Sequence, residues 1–317
     1  MMGGRQDAMR PVRPMRPGGV RAASMRGDGA VRADVRHAAE SGFEHASERR
    51  AASAAAERPA ATALPVPLVS VIIPCYNSAE HIEETLESVR AQTMPDLEML
   101  MVDDCSSDGS AEVVQRVAAR DSRVRLLRQP TNQGVARARN RALDQARGRY
   151  VAYLDSDDLW VPEKLERQIA FMAERGIGAC FTSYETIEQD GAHRNFVHVP
   201  RSITYRQFLK NTVTCSHSLL FDTHCVDRSL LVMPDIRRGQ DFATWVQVMK
   251  AGHTFFGLDE PLAKYRKCPG SLSSSPLTSV RRTWNIYRRV EHLSIPYAAY
   301  CQAWQLYHAI IKRIGGM

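Results

Sequence analysis

Acidic residues stand in three groups along this sequence: Asp103-Asp104, Asp155-Ser156-Asp157-Asp158, and Asp241. The Asp155-Ser156-Asp157 spacing is the most pointed. Two carboxylates separated by one residue in a turn can reach a hard divalent cation from the same side, leaving its open positions to phosphate oxygens, which is how Mg²⁺ or Mn²⁺ is usually held. A cation there would neutralise a diphosphate leaving group. Singly, each group reads equally well as turn formers and helix caps, positions where Asp is common. Placement decides between the two readings.

The elements around these groups read as alternating strands and helices. Residues 68–73 form a near-continuous β-branched run of the kind that a strand buried on both faces shows, followed by helical periodicity over 80–92. The pattern predicts strands at 97–102, 124–127 and 150–154 and helices at 109–120 and 135–146. Such alternation implies a mostly parallel central sheet with helices on both faces. Asp103 and Asp104 then follow the second strand, the Asp155 group follows the fourth, and Asp241 opens a late helix over 241–250. In open α/β sheets the strand ends converge on one ligand crevice. Beyond residue 154 the regularity weakens to a helix at 163–174 and strands at 179–184 and 254–258, an extension that completes a site.

Composition narrows the partners. The net charge of +7 points at first to nucleic acid, but residues 1–60 hold 11 Arg against 7 acidic residues and so carry more than half of it. What remains is too small and scattered for a nucleic-acid groove. Residues 1–66, rich in Arg and Ala with the single aromatic Phe43, are expected to be a disordered leader, read either as a basic arm or as a solvated segment. The seven cysteines are odd in number and form no C-x-x-C pair, against a disulfide framework or zinc ribbon. With no apolar run of the roughly 18–20 residues a membrane span needs, and no signal-peptide pattern, the expectation is a cytoplasmic protein.

Several blocks together resemble glycosyltransferase family 2, inverting enzymes with the GT-A nucleotide-diphospho-sugar transferase fold. They are Val69-Ser70-Val71-Ile72-Ile73-Pro74-Cys75-Tyr76-Asn77, Val102-Asp103-Asp104-Cys105-Ser106-Ser107-Asp108-Gly109, Asn132-Gln133-Gly134-Val135-Ala136-Arg137-Ala138-Arg139-Asn140, Leu154-Asp155-Ser156-Asp157-Asp158, and Gly239-Gln240-Asp241-Phe242. The resemblance implies a transferase domain over 67–275, a C-terminal helical extension over 276–317, and transfer from a nucleotide diphosphate donor, a UDP-sugar by preference. Pro74 and Tyr76 would hold the base, Tyr76 by its π-face, and Asp104 would accept from the base's ring N–H while Asp103 caps or packs. Arg139 would stand near the diphosphate, with Arg137 and Arg141 turned elsewhere on the same helix. Asp155 would touch the nucleotide and, with Asp157, the cation.

Asp241 matches the family's base, which takes the acceptor hydroxyl's proton as the new bond forms; its plainer reading is an N-terminal helix cap. The family's Glu-Asp pair is Gln240-Asp241 here. Cys105 stands where relatives often have Gly. Trp245 reads as core and His217 as structural. The segment from Pro261 to Arg266, followed by Gly270-Ser271-Leu272-Ser273-Ser274, resembles bacterial enzymes of lipopolysaccharide, capsule or exopolysaccharide assembly, whose acceptors are glycans or lipid-linked sugars. Basic residues interleave with Trp284, Tyr287, Tyr297, Tyr300, Trp304 and Tyr307 near the C-terminus. That pattern suits either peripheral contact with the inner face of the cell membrane or packing on the domain. Two rivals stay open: a degenerate domain that binds nucleotide or glycan without turnover, and a sugar nucleotidyltransferase, whose Gly-rich loop after the first strand is missing from Pro74-Cys75-Tyr76-Asn77.

Overall fold

The computed structural model describes residues 66–211, 215–268 and 276–314. Residues 1–65 of the expected leader, Thr214 and the Gly270-to-Ser274 segment lie outside the described residues. Strand β1 (Val69–Cys75) is buried along its whole length, as its apolar run requires. It lies between β2 (Leu97–Asp103) and β4 (Tyr150–Tyr153), parallel to both, and β3 (Val124–Arg128) joins beyond β2. Pro74, which has no N–H to give, stands past Ile72, where the pairing with β4 stops.

Side-chain alternation along β1 sorts the two cores. Val69, Val71 and Ile73 face one layer, formed by α1 (Ile82–Arg90), α2 (Ser110–Ala118) and α4 (Lys164–Arg175) through residues such as Leu86, Val114 and Leu165. Ile72 faces the other, with α3 (Val135–Gln145) and α6 (Gln240–Lys250), where Ala138, Ala142, Trp245 and Val246 are buried. Trp245 stacks on Phe221 at 5.1 Å and is core.

Among the described residues ten strands form one sheet, in the order β3-β2-β1-β4-β9-β6-β10-β5, with β7 on β6 and β8 on β10. Here β5 is Leu159–Trp160, β6 Ala179–Ile187, β7 His193–Val197, β8 Ser202–Ile203, β9 Leu219–Asp222 and β10 Phe255–Arg266. The expected parallel pairing holds from β3 to β4. Beyond it the sheet is mixed: β9 runs antiparallel to β4 and β6, and β10 is parallel to β6 but antiparallel to β5 and β8. After a short α5 (Tyr205–Phe208), the chain ends in α7 (Pro276–Asn285), a π-helical turn over Ile286–Val290, and α8 (Ile295–Ile314). Tyr287, Ala298 and Cys301 bury themselves in the same core as α6. The opposite face of α8 leaves Tyr300, Trp304 and Tyr307 exposed. No helix among the described residues is long and apolar enough to cross a membrane.

Candidate active site

The loops after β1, β2 and β4 are tied to one another at the carboxyl edge of the sheet. Asn77 N–H donates to Ser106 Oγ at 3.0 Å and Ser107 N–H returns a bond to Asn77 Oδ1 at 2.9 Å. Asp108 caps the start of α2 and accepts from Ala79 N–H at 2.9 Å. Ser78 reaches Ser156 through their hydroxyls at 2.7 Å, and Thr85 Oγ1 donates to the Ser156 carbonyl at 3.1 Å. Asn77 and Cys105 both take left-handed backbone, φ +49° and +66°. The Cys105 turn thus forms without the glycine that left-handed backbone favours, with its side chain in the open.

Tyr76 stands clear of the strand, 52% exposed, with its ring available to a planar ligand. Pro74 is buried below it. Asp104 is buried and takes three donors at 2.7 Å: Gln129 Nε2 and Gln133 N–H on Oδ1, and Gly134 N–H on Oδ2. A carboxylate offers about four lone-pair sites, so one acceptor position remains, on Oδ2. Gly134, at φ +90°, is the N-cap of α3, so Asp104 fixes where that helix begins. Asp103 caps its own turn, accepting from Ser106 N–H at 3.2 Å.

Arg139 leaves α3 into the protein rather than toward solvent. It is 4% exposed, donates through Nη2 to Asp155 Oδ1 and lies 3.8 Å from Met233 Sδ through Nη1. The guanidinium expected near the diphosphate thus lies against Asp155, with its Nε left without a hydrogen-bond partner. Burial pulls its pKa down, but the charges of Asp155 and then Asp241 hold it above the ordinary arginine value. One buried cation thus braces the loop after β4. Asn140, the next residue, clamps Met233 by a reciprocal pair of 2.8 Å bonds to its carbonyl and N–H. Arg137 pairs with Asp235 at 2.7 Å and Arg141 donates to the Arg128 carbonyl, both at the surface.

Whether a cation suits Asp155 and Asp157 can be judged from the charge around them. Burial, then the negative charges of Asp158 and Asp155, push the Asp157 carboxyl up to about 7, against a hydrogen bond from Cys268. Asp158 is occupied elsewhere: it is fully buried, its Oδ2 lies 2.8 Å from His217 Nδ1, and its Oδ1 accepts from Arg266 N–H at 2.9 Å. Burial raises its pKa against the pull of His217. Surplus negative charge on hard oxygen donors fits Mg²⁺ or Mn²⁺. Among the described residues no group of three or more His, Cys, Asp or Glu side chains that could hold a metal ion occurs.

Two residues to which the sequence assigned no part in the site shape this loop. Arg266, at the end of β10 and 3% exposed, donates Nε to the Asp157 carbonyl at 2.9 Å, Nη1 to the Gln189 carbonyl at 2.8 Å and Nη2 to Glu84 at 2.6 Å. His217 stacks on Tyr265 at 5.5 Å and holds Asp158 from behind. A lone Arg closing a largely apolar strand was the available signal for the first. Nothing in the sequence paired His217 with Asp158.

The family model for Glycosyl transferase family 2 matches residues 70–228. A putative teichuronic acid biosynthesis glycosyltransferase, TuaG of Bacillus subtilis (strain 168), is 42% identical over 249 residues, 78% of this chain and 98% of that protein. The Escherichia coli UDP-Glc:alpha-D-GlcNAc-diphosphoundecaprenol beta-1,3-glucosyltransferase WfgD is 36% identical over 223 residues, 69% of this chain and 85% of its own. Among solved structures, S. aureus TarS 1-349 in complex with UDP-GlcNAc aligns at TM-score 0.58 and 25% identity, over 69% of this chain and 64% of that one. A Pyrobaculum calidifontis mannosyltransferase with GDP-Man and Mn²⁺ shares the fold at TM-score 0.53 and 22% identity, over 75% and 73% of the two chains. The chain belongs to glycosyltransferase family 2 and is a glycosyltransferase of GT-A fold.

Proposed function

We propose that this enzyme moves a sugar, with inversion, from a UDP-sugar to a hydroxyl of a glycan or lipid-linked acceptor in cell-surface polysaccharide synthesis. The observation that supports the reading is the buried Arg139, whose Nη2 donates to Asp155 Oδ1 in the Asp155-Ser156-Asp157 turn at the carboxyl edge of the sheet. Asp241 opens α6, which packs in the same core as α3, the helix that carries Arg139. The names of the relatives point the same way, one to teichuronic acid and one to a sugar on diphosphoundecaprenol.

In this account Tyr76 stacks on the base above Pro74, and Asp104 spends its remaining Oδ2 position on the base's ring N–H. Asp155 and Asp157 hold Mg²⁺ or Mn²⁺, which supplies charge neutralisation for the departing diphosphate. Asp241, at the N-terminal end of α6, accepts the proton of the acceptor hydroxyl as that oxygen attacks the anomeric carbon. Residues 67–275 form the transferase domain and 276–317 its helical extension. The exposed Tyr300, Trp304 and Tyr307 face of α8 suits peripheral contact with the inner surface of the cell membrane, where a lipid-linked acceptor lies.

Calorimetric titration of UDP, GDP and dTDP, with and without Mn²⁺, tests the donor half of this reading. UDP should bind tightest, and more tightly with Mn²⁺ in the wild type than in Asp157→Asn. Indifference of all three nucleotides to Mn²⁺ would refute the metal assignment.

A further inference from the structure

Beside the first turn of α6 lies an open groove of about 350 Å³ whose walls carry five arginines: Arg237, Arg238, Arg281, Arg282 and Arg289. Arg237 and Arg238 come from the loop that leads into α6, Arg281 and Arg282 from α7, and Arg289 from the π-helical turn that follows. Guanidinium groups stay charged at any pH a protein survives. Among the described residues none of the five makes an ion pair. The neighbouring Asp235 is already taken by Arg137. Five unpaired arginines around one open groove make a local positive field that favours an anion there.

The groove is built against the catalytic end of α6. A Cβ placed on Gly239, the N-cap of that helix and two residues before Asp241, would stand 2.7 Å from Ile286 Cδ1 and 3.0 Å from Arg282 Cδ. Gly239 thus lets the groove wall close on the backbone that presents Asp241, in a left-handed conformation, φ +78°. The floor is apolar, with Ile236, Ile286 and Val290 between the arginine stems. A donor diphosphate has its own place at Asp155 and Asp157. The second anion fitting a forked, multiply cationic groove beside an acceptor's base is a diphosphate diester with an apolar tail, since guanidinium forks pair phosphate oxygens two at a time.

We propose that the five-arginine groove holds the diphosphate of a lipid-linked acceptor and thereby aims the acceptor's sugar hydroxyl at Asp241. This rests on the transferase reading above and adds to it the class of acceptor and the residues that recognise it. Arg237, Arg281 and Arg289 are exposed, so replacing them removes charge without disturbing the core.

The test is calorimetric binding to the full-length chain of three synthetic probes: GlcNAc-diphospho-farnesol, GlcNAc-monophospho-farnesol and the neutral farnesyl glycoside of GlcNAc. The diphospho probe should bind tightest, weaken as salt rises, and lose roughly 10-fold or more in affinity in Arg237→Gln/Arg281→Gln/Arg289→Gln. Arg116→Gln/Arg120→Gln, which removes exposed charge from the α2 region, should leave that affinity unchanged. Equal binding of the diphospho and neutral probes, or an unchanged affinity in the triple variant, would overturn the proposal. So would an oligogalacturonate that binds the groove as tightly as the diphospho probe, since it would make the occupant an anionic glycan. Loss of UDP binding in the triple variant would also overturn it, by assigning the groove to the donor. Wild-type protein that binds the diphospho probe through these arginines yet turns over no UDP-sugar would uphold the groove and refute the proposed donor alone.

Discussion

Lys164 opens α4 just after β5, the short strand that closes the Asp155–Asp158 loop, and it is fully buried. Its Nζ donates to Gln168 Oε1 at 2.6 Å and stands 4.1 Å from the centre of the Trp160 ring. No carboxylate pairs with it among the described residues. Burial pulls its pKa down from 10.5 to about 7. Between those values the unfolded chain holds a proton that the folded chain releases, so the wild type gains stability as pH rises from 7 toward 10.5. Each pH unit across that interval is worth about 1.4 kcal/mol, so the penalty for burying the amine is roughly 4 kcal/mol at pH 7 and falls to roughly 2 kcal/mol by pH 9. Lys164→Met keeps the stem and removes the titration. The stability difference between variant and wild type should therefore change by roughly 2 kcal/mol, in favour of the wild type, from pH 7 to pH 9. Loss of the Gln168 bond is a constant offset of about 1 kcal/mol that leaves this change untouched. Urea unfolding of both proteins under reductant at pH 7, 8 and 9 measures it. A difference that does not move with pH would refute the reasoning and mean that Trp160 and Gln168 keep the ammonium charged.

Two further outcomes follow from the polar networks. Arg266→Lys retains the charge but cannot reach Asp157, Gln189 and Glu84 together, so metal-dependent donor turnover should fall roughly 10-fold or more with little loss of fold, checked by steady-state kinetics beside a melting curve. Glu98 is 2% exposed and accepts from Ser70, Arg125 and Arg147, and these bonds outweigh burial to hold its pKa below 4.5. Its contribution is complete above its unfolded pKa and lost as pH falls through the lower folded one. Glu98→Gln should cost about 3 kcal/mol at pH 7, shrinking toward pH 3, as denaturant midpoints will show.

The first half of the sheet was legible because β1, β2 and β4 are apolar runs punctuated by Asp, Asn and Gly, and each expected boundary from residue 68 to 154 lies within about three residues of the observed one. The second half was legible only in part: the expected helices at 163–174 and 241–250 match α4 (Lys164–Arg175) and α6 (Gln240–Lys250), and β6 starts at Ala179 as expected, but β5, β7, β8 and β9 did not show. Strand β10 reads as 254–258 from its apolar start, yet it continues to Arg266 through register shifts around Pro261. Strand β9 is only four residues, too short to carry a period, and is made a strand by β4 and β6 on either side. In the site, each carboxylate was visible as a residue type, Asp104, Asp155 and Asp157 just past strands and Asp241 at the start of a helix. Which partners they keep was not visible, because Arg139 to Asp155, His217 to Asp158 and Arg266 to the Asp157 carbonyl are contacts that exist only once the sheet is closed.

The central claim is that Asp157 and Asp241 serve one reaction centre in different roles. Mass-detected release of UDP from a panel of UDP-sugars with Mn²⁺ tests it, comparing wild type, Asp157→Ala and Asp241→Asn, with UDP affinity measured alongside. The account predicts metal-dependent release by the wild type, loss of both release and Mn²⁺-dependent binding in Asp157→Ala, and retained UDP binding with turnover lowered by about 10²-fold or more in Asp241→Asn. Wild-type turnover in Asp241→Asn would contradict it.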